Sequence, residues 1–281
     1  MLIGLREALD WAERNNSALA AVNTPFFEAL LGTIDVGERT GVPIILQFAH
    51  VHEHWVSIRE MGPAMVELAK RSEGPFVLHV DHGADLDYIR QGIDIGFNSA
   101  MFDGSHLSLA DNIARTREVV EFCRERGIGV EGEIGVMTGN ENGDPSQGIA
   151  DETLFTQPDV AAAFVGQTGV TCLAASFGTV HGLYNREPSL HYDLISDLVE
   201  ATHVPIVMHG GSGLSETEYH ESIRHGVRKV NYFTYLARAA YEAVVPLVED
   251  PAVGLFPPLA SAAREAVRED VGAFVTSLTN V

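Results

Sequence analysis

Eight short apolar runs alternate with segments of helical periodicity along most of the chain. Runs of this length, bounded by polar residues, are typical of strands that are buried on both faces of a parallel sheet. The runs are Ala18–Val22, Pro43–Phe48, Phe76–Val80, Ser99–Phe102, Gly129–Glu133, Cys172–Ser176, Pro205–Met208 and Arg228–Asn231. Strand–helix alternation of this kind predicts an α/β protein.

The number of strand–helix units predicts how the sheet is arranged. About eight units in a chain of 281 residues fit a closed (β/α)8 TIM barrel better than an open sheet. An open, doubly wound sheet is the alternative, although no GxGxxG motif follows the first run. Since no linker divides the chain, one catalytic barrel domain over residues 1–281 is expected, with an N-terminal helix and an extra C-terminal helix.

Local signals predict where three of the helices begin. Thr24 followed by Pro25 predicts an N-cap and a first-turn proline. Thr156 is expected to open the helix after the fifth run. Ser215 with Glu218 predicts a capping box at the helix after the seventh run.

Composition limits the classes of function. The formal net charge of −21 argues against a nucleic-acid surface and suits a small-molecule substrate. No apolar run reaches membrane-spanning length, and the N-terminus lacks the features of a signal peptide, so a cytoplasmic location is expected. Cys123 and Cys172 lie in apolar-periodic stretches and are expected to be buried free thiols.

Polar residues stand where the apolar runs end, and a TIM barrel gathers function at those ends. The residues there are Asn23, Gln47, Asp81 with His82, Asp103, Glu133, the loop to His181, His209 and Asn231. Polar turns are common after strands, but three histidines that are each followed by glycine are harder to explain as turns. His82, His181 and His209 could converge on one ion, because three ligands and an open position describe a catalytic zinc site. Asp81, beside such a cation, would stay ionised and could exchange a proton.

Six longer motifs occur in order between Ala21 and Arg238. They are LHVDHG, GFNSAMFDGSHLSLADNIARTREVV, VEGEIG, SFGTVHGLY, MHGGSG and GVRKVN. Together they resemble the class II, metal-dependent ketose-bisphosphate aldolases of the fructose- and tagatose-bisphosphate type. The resemblance implies reversible aldol cleavage of a ketose (bis)phosphate to dihydroxyacetone phosphate and an aldehyde.

The resemblance also implies roles for individual residues. Asp81 matches the catalytic aspartate, and Glu141, in the polar stretch TGNENGDPSQG, matches the acid that protonates the enediolate. The zinc ligands would be His82, His181 and His209, with Glu133 joining or neighbouring the metal. The implied cofactor is one Zn²⁺ per subunit, with a monovalent cation as a further candidate. A homodimer or homotetramer is implied, with no nucleic-acid or membrane partner.

The substrate would be held mainly by glycine-rich loops. The residues implied are Asn23, Gly182, Arg186, Gly210, Gly211, Ser212, Asn231, Phe233 and Thr234. Glycines let backbone N–H groups approach a phosphate closely beside a helix N-terminus. An ordinary loop leading into a capped helix is the alternative for HGGSG.

Three other functions stay open. His50, His52 and His54 include the HxH pattern of metal-dependent amidohydrolase barrels, but those need a metal-binding Asp at the end of the last strand. We expect the triplet to form a solvated or mouth-lining loop, although a strand would place the three side chains on one face. Lys229, near a strand end, could form a Schiff base as in class I aldolases. A non-catalytic phosphosugar-binding barrel is the third alternative.

Departures from the family pattern concern the aldehyde half of the substrate. Ala49 stands where serine is common, and Phe233 stands where aspartate is common. Asn185 follows HGLY in place of a basic residue, so that Arg186 is the expected substitute. Asn140 and Asn142 flank Glu141. These changes leave the metal site and the dihydroxyacetone phosphate end of the pattern intact.

Overall fold

The computed structural model describes residues 1–135, 155–180 and 189–279. Eight parallel strands close into a barrel, in which each strand pairs with the next and the last pairs with the first. The strands are β1 (Leu19–Asn23), β2 (Ile44–Ala49), β3 (Phe76–Gly83), β4 (Ser99–Phe102), β5 (Gly129–Ile134), β6 (Cys172–Ala175), β7 (Ile206–Met208) and β8 (Val227–Tyr232). The predicted (β/α)8 barrel is therefore confirmed, and every predicted run overlaps one strand.

Helices surround the barrel and also close one end of it. They are α1 (Leu5–Arg14), α2 (Phe27–Thr40), α3 (Ile58–Arg71), α4 (Leu86–Ile95), α5 (Leu109–Arg124), α6 (Pro158–Thr168), α7 (Tyr192–Thr202), α8 (Glu216–His225), α9 (Thr234–Val248) and α10 (Phe256–Leu278). A short 3-10 helix, His50–His54, follows β2. The predicted N-terminal helix is α1, and the extra C-terminal helix is α10, which packs against α2 and α9.

The predicted start of α2 is wrong. This helix begins at Phe27, and no side chain caps it. Thr24 does not act as an N-cap because its backbone N–H still donates to the Gln47 carbonyl of β2, at 3.0 Å. The chain therefore stays extended for one residue beyond β1 before it turns into the helix.

The predicted start of α6 is wrong by two residues, whereas that of α8 is confirmed. Thr156 donates to the carbonyl of Ile134 and accepts from the backbone N–H of Ser176, each at 2.9 Å. Its hydroxyl thus links β5 to the end of β6, and α6 begins at Pro158. Ser215 and Glu218 form the predicted capping box of α8.

The barrel interior changes from apolar to polar along its axis. At the N-terminal end, α1 packs onto inward-facing side chains of six strands, which are Leu19, Ala21, Ile45, Val77, Met101, Cys172, Ala174 and Val207. The next inward-facing positions are buried and polar, namely Asn23, Gln47, His79, Asp81, Glu131, Glu133, Lys229 and Asn231. Because buried polar groups must be paired, these side chains are expected to contact one another at the C-terminal end of the barrel.

Two simpler predictions concern the cysteines and the membrane. Cys123 and Cys172 are buried free thiols, as predicted. In the described ranges 1–135, 155–180 and 189–279, no helix has both the length and the apolar character that a bilayer span needs.

Candidate active site

Asp81 is buried at the C-terminal end of β3 and is held by three side-chain amides. Its Oδ2 accepts hydrogen bonds from Asn23 Nδ2 and Gln47 Nε2, both at 2.9 Å, and its Oδ1 accepts one from Asn231 Nδ2 at 3.2 Å. Burial alone would raise the pKa of Asp81, but positive charge on His82 and Lys229 holds it well below its usual range. The result is an ionised carboxylate with a fixed orientation.

His82, the next residue, has an unusual backbone conformation. Its φ of 104° lies in the region that favours glycine, and such a conformation costs on the order of 1–3 kcal/mol. The turn brings His82 Nδ1 to 3.2 Å from Asp103 Oδ2, at the end of β4, while Nε2 lies 3.9 Å from Asp81 Oδ1. Strain of this kind persists where the surrounding structure holds it, and here it keeps the ring among carboxylates.

His209 and Glu133 face His82 across the barrel mouth. The rings of His82 and His209 are nearly perpendicular, with centroids 4.8 Å apart. Glu133 Oε2 lies 3.8 Å from His209 Nδ1 and 4.0 Å from His82 Nδ1, distances that are too long for hydrogen bonds. This buried oxygen has no hydrogen-bond partner among the described residues. Burial and the negative charge of Asp103 hold the pKa of Glu133 well above its usual range.

The donor set fits a divalent cation. Asp81, His82 and His209 form one group, and His82, Asp103 and Glu133 form another, in each of which the ligand atoms lie within 4.8 Å of one another. Zinc takes imidazole nitrogen and carboxylate oxygen at about 2.0–2.2 Å, so that two such atoms on one ion can lie up to ~4 Å apart. One shared cation would account for the separations of 3.8 and 4.0 Å between Glu133 Oε2 and the Nδ1 atoms of His209 and His82, which are too long for hydrogen bonds.

A second layer of buried charge lies below this group. Glu131 Oε1 is 2.7 Å from His209 Nε2, and Glu131 Oε2 is 2.8 Å from Lys229 Nζ. Burial alone would raise the pKa of Glu131, but the Lys229 ammonium and the His209 hydrogen bond lower it to about 2. Burial lowers the pKa of His209, and that of Lys229 is raised by Glu131 against the effect of burial. His209 is therefore a neutral imidazole beside an ion pair.

The loops after β7 and β8 form another part of the mouth. Gly210 has a φ of 65°, and a Cβ there would lie 2.2 Å from the carbonyl oxygen of Val180. Gly211 has no room for a side chain either, because a Cβ would lie 2.2 Å from Val230. Ser212 Oγ accepts a hydrogen bond from the Phe233 backbone N–H at 3.2 Å, which joins the two loops directly before α9 begins at Thr234.

Four of the predicted site residues lie outside the described residues. They are Glu141, His181, Gly182 and Arg186. The other predicted residues lie at the C-terminal ends of the strands or in the loops after them, except Thr234, which is the first residue of α9.

Aromatic rings cover the side of the mouth next to β1. His52 stacks on Trp55 with centroids 5.3 Å apart, and the ring of Phe233 lies 4.4 Å from His52. We call His52, Trp55 and Phe233 the aromatic wall. Phe233 is only 5% exposed, and its ring faces the 3-10 helix after β2.

The expectation for the histidine triplet is corrected in two respects. The residues lie in a short 3-10 helix after β2, where a loop was expected. His50 and His54 are exposed, but His52 is fully buried, so the solvated alternative is wrong for His52, which packs in the aromatic wall. Burial lowers the pKa of His52 to about 4, against the raising effect of Asp81. A neutral His52 thus stands near the Asp81 carboxylate.

Sequence reasoning gave no role to several residues of this site. Glu131 lies two positions before Glu133 on β5, and this spacing puts both side chains on the inward face, which was a usable signal. The sequence identifies Gln47 and Asp103 only as strand-end residues, because their contacts with Asp81 and His82 arise from the fold. The contact of His52 with Phe233 has no local sequence pattern, because the two residues are distant in the chain.

Comparison with known proteins agrees with this geometry. The family model of class II fructose-bisphosphate aldolase matches residues 3–280. The chain is 33% identical to the Escherichia coli K12 protein YdjI, which is named as uncharacterized, over 98% of each sequence. The crystal structure of that protein, described as the YdjI aldolase, superposes with a TM-score of 0.88 at 32% identity, covering 99% of this chain and 97% of the other.

A Staphylococcus aureus (strain Mu50) fructose-bisphosphate aldolase is 30% identical to the chain, over 96% of this chain and 94% of that protein. The match of the family model extends over nearly the whole chain and includes all eight strands. The chain therefore belongs to the class II fructose-bisphosphate aldolase family.

Proposed function

We propose that this protein catalyses the zinc-dependent, reversible aldol cleavage of a ketose phosphate or bisphosphate to dihydroxyacetone phosphate and an aldehyde. The observation that carries the proposal is the meeting of ionised Asp81 with His82, His209 and Glu133 at the barrel mouth. Membership of an aldolase family supports a carbon–carbon lyase.

His82, His181 and His209 would hold the ion, and Glu133 would join it or neighbour it. When bound, a zinc ion would polarise the ketone oxygen and stabilise the negative charge that develops there during cleavage. Support comes from the unpartnered Glu133 oxygen and from the spacing of the donor atoms. A monovalent cation near the substrate stays a prediction.

Asp81 would take the proton from the hydroxyl beside the scissile carbon–carbon bond and return it during condensation. The amides of Asn23, Gln47 and Asn231 orient the carboxylate, so that its position does not depend on the substrate. Glu141 would donate the second proton, to the carbon that carries the negative charge after cleavage.

The phosphate of the dihydroxyacetone phosphate half would bind at Gly182, Gly210, Gly211 and Ser212. Gly210 and Gly211 allow this loop to pack closely against Val180 and Val230, and Ser212 joins the loop to the residue before α9, whose N-terminus would favour an anion. Asn231 and Thr234 would contact the same half of the substrate. Arg186 would supply the positive charge that the family places after HGxY.

The aldehyde half would meet the aromatic wall. Phe233 and Trp55 offer no hydrogen-bond acceptor on their rings, whereas an aspartate at position 233 could accept bonds from sugar hydroxyls. Ala49 removes a second potential partner. We infer that the preferred aldehyde is shorter, less hydroxylated or of different configuration than the aldehyde half of fructose 1,6-bisphosphate.

The alternatives receive less support. An amidohydrolase would need a metal-binding aspartate at the end of β8, where Asn231, Tyr232 and Phe233 stand. Lys229 is fully buried and paired with Glu131, which leaves its amine poorly placed to form a Schiff base. A non-catalytic sugar-phosphate-binding barrel would show metal and substrate binding without turnover.

The direct experiment combines the purified protein with dihydroxyacetone phosphate and a panel of aldehydes. We expect condensation with at least one aldehyde, loss of activity after treatment with a chelator, and recovery with Zn²⁺. Full activity after chelation would contradict the proposal. Inactivation by borohydride in the presence of substrate would instead indicate a Schiff base at Lys229.

Three further expectations stay predictions. One barrel domain would comprise residues 1–281, the chain would form a homodimer or a homotetramer, and the enzyme would act in the cytoplasm. Light scattering on the purified protein would distinguish a homodimer from a homotetramer.

A further inference from the structure

Three buried side chains connect His209 to Asp81 through the barrel interior. Glu131 accepts from His209 Nε2 at 2.7 Å and lies 2.8 Å from the Lys229 ammonium. Lys229 also donates to Asn231 Oδ1 at 2.7 Å, and Asn231 Nδ2 donates to Asp81. Lys229 is therefore the branch point between a candidate metal ligand and the candidate catalytic aspartate.

We propose that Lys229 is a positioning residue for both parts of the active site, an inference that rests on the proposed function. Through Glu131 it fixes the ring of His209 with Nδ1 toward the metal centre. Through Asn231 it fixes the carboxylate of Asp81.

The branch toward His209 follows from donor and acceptor roles. The ammonium of Lys229 keeps Glu131 as a carboxylate, which can only accept hydrogen bonds. His209 Nε2 must then carry the hydrogen, which leaves the lone pair on Nδ1, the nitrogen that lies 3.8 Å from Glu133 Oε2. A metal-bound histidine is commonly oriented by a carboxylate on its other nitrogen, and here a lysine in turn holds that carboxylate.

The branch toward Asp81 depends on which way an amide faces. The side chain of Asn231 could present either its oxygen or its nitrogen to Asp81. Because Lys229 has only donors, Asn231 Oδ1 must face Lys229, and Nδ2 is directed toward Asp81. Without the ammonium, Asn231 Oδ1 would lose its donor, and the amide would be held by the Asp81 carboxylate alone.

The experiment compares Lys229→Met with Lys70→Met, in which an exposed lysine of α3 is changed as the control. Lysine occurs only at these two positions, so the control makes the same substitution at the other lysine of the chain. We expect Lys229→Met to weaken Zn²⁺ binding by about 10- to 100-fold, measured by chelator competition. In ¹⁵N-histidine NMR spectra of the metal-free protein, His209 should lose its single Nε2–H tautomer. At saturating Zn²⁺, kcat should fall more than KM rises.

A second variant keeps the inference testable if the buried Glu131 charge prevents Lys229→Met from folding. Glu131→Gln/Lys229→Met removes both charges, and we expect the same loss of zinc affinity and the same tautomer mixing. A folded variant of either kind with wild-type zinc affinity and an unchanged His209 spectrum would overturn the inference. Absence of aldol activity in the wild type would contradict the proposed function alone, because the binding and NMR results still decide the role of Lys229.

Discussion

The role of the buried Asp81 carboxylate can be separated experimentally from that of the candidate metal ligands around it. In Asp81→Asn, the amide oxygen can still accept the bonds that Asn23 and Gln47 donate to Oδ2, so the fold and the zinc site should persist. The new NH2 group would face Asn231, and one unsatisfied donor costs about 1–3 kcal/mol of stability. We expect zinc content near that of the wild type and a loss of kcat of about 10²–10⁴.

Zinc content by elemental analysis and kcat for retro-aldol cleavage would be measured on the same Asp81→Asn sample. Zinc content that is retained while kcat falls would assign Asp81 to proton transfer and not to metal binding. If Asp81→Asn cleaves substrate at a rate close to that of the wild type, another group is the base.

At the scale of elements, the 3-10 helix after β2 and the junction between β8 and α9 together form the aromatic wall. Phe233 lies against His52 directly before α9 begins, and the prediction is that this ring meets the aldehyde half of a substrate. A sugar hydroxyl buried there without a partner would cost about 1–3 kcal/mol, or roughly 5- to 150-fold in kcat/KM. We therefore expect the wild type to be poor with fructose 1,6-bisphosphate and Phe233→Asp to be better.

The measurement is kcat/KM for fructose and tagatose 1,6-bisphosphates and for shorter 1-phosphate analogues. Phe256→Asp provides the matched control, since Phe256 is 71% exposed at the start of α10 and distant from the site residues in sequence. Efficient wild-type cleavage of fructose 1,6-bisphosphate that Phe233→Asp does not improve would remove the proposed role of the aromatic wall.

At the scale of the whole molecule, the barrel could be predicted because its strands are buried on both faces. Such strands appear in sequence as short apolar runs, and the turns between them carry the polar residues. The barrel then brings together residues from distant parts of the chain, as it does for Asp81 on β3 and Asn231 on β8. Helix starts were harder to predict. Thr24 and Thr156 form hydrogen bonds with residues of the barrel strands and do not cap the helices that follow them.

The network beneath the site was less accessible to sequence reasoning. From its position near a strand end, Lys229 is a candidate Schiff-base lysine. The structure pairs it with Glu131, and this pair joins β8 to β5, which are far apart in sequence. Likewise, the burial of His52 could not be predicted in full, because one of the rings against it belongs to Phe233, 181 positions later in the chain. Contacts between residues so far apart in the chain leave no local pattern.

The most direct measurement of the central claim is zinc content and retro-aldol rate on the same samples of wild type, His82→Ala, His209→Ala and His220→Ala. His220 lies on α8 with its side chain 35% exposed and serves as the control. We expect about one zinc per subunit and full activity in the wild type and in His220→Ala, and loss of both in His82→Ala and His209→Ala. Folded His82→Ala or His209→Ala protein that cleaves substrate at the wild-type rate without bound metal would contradict the account.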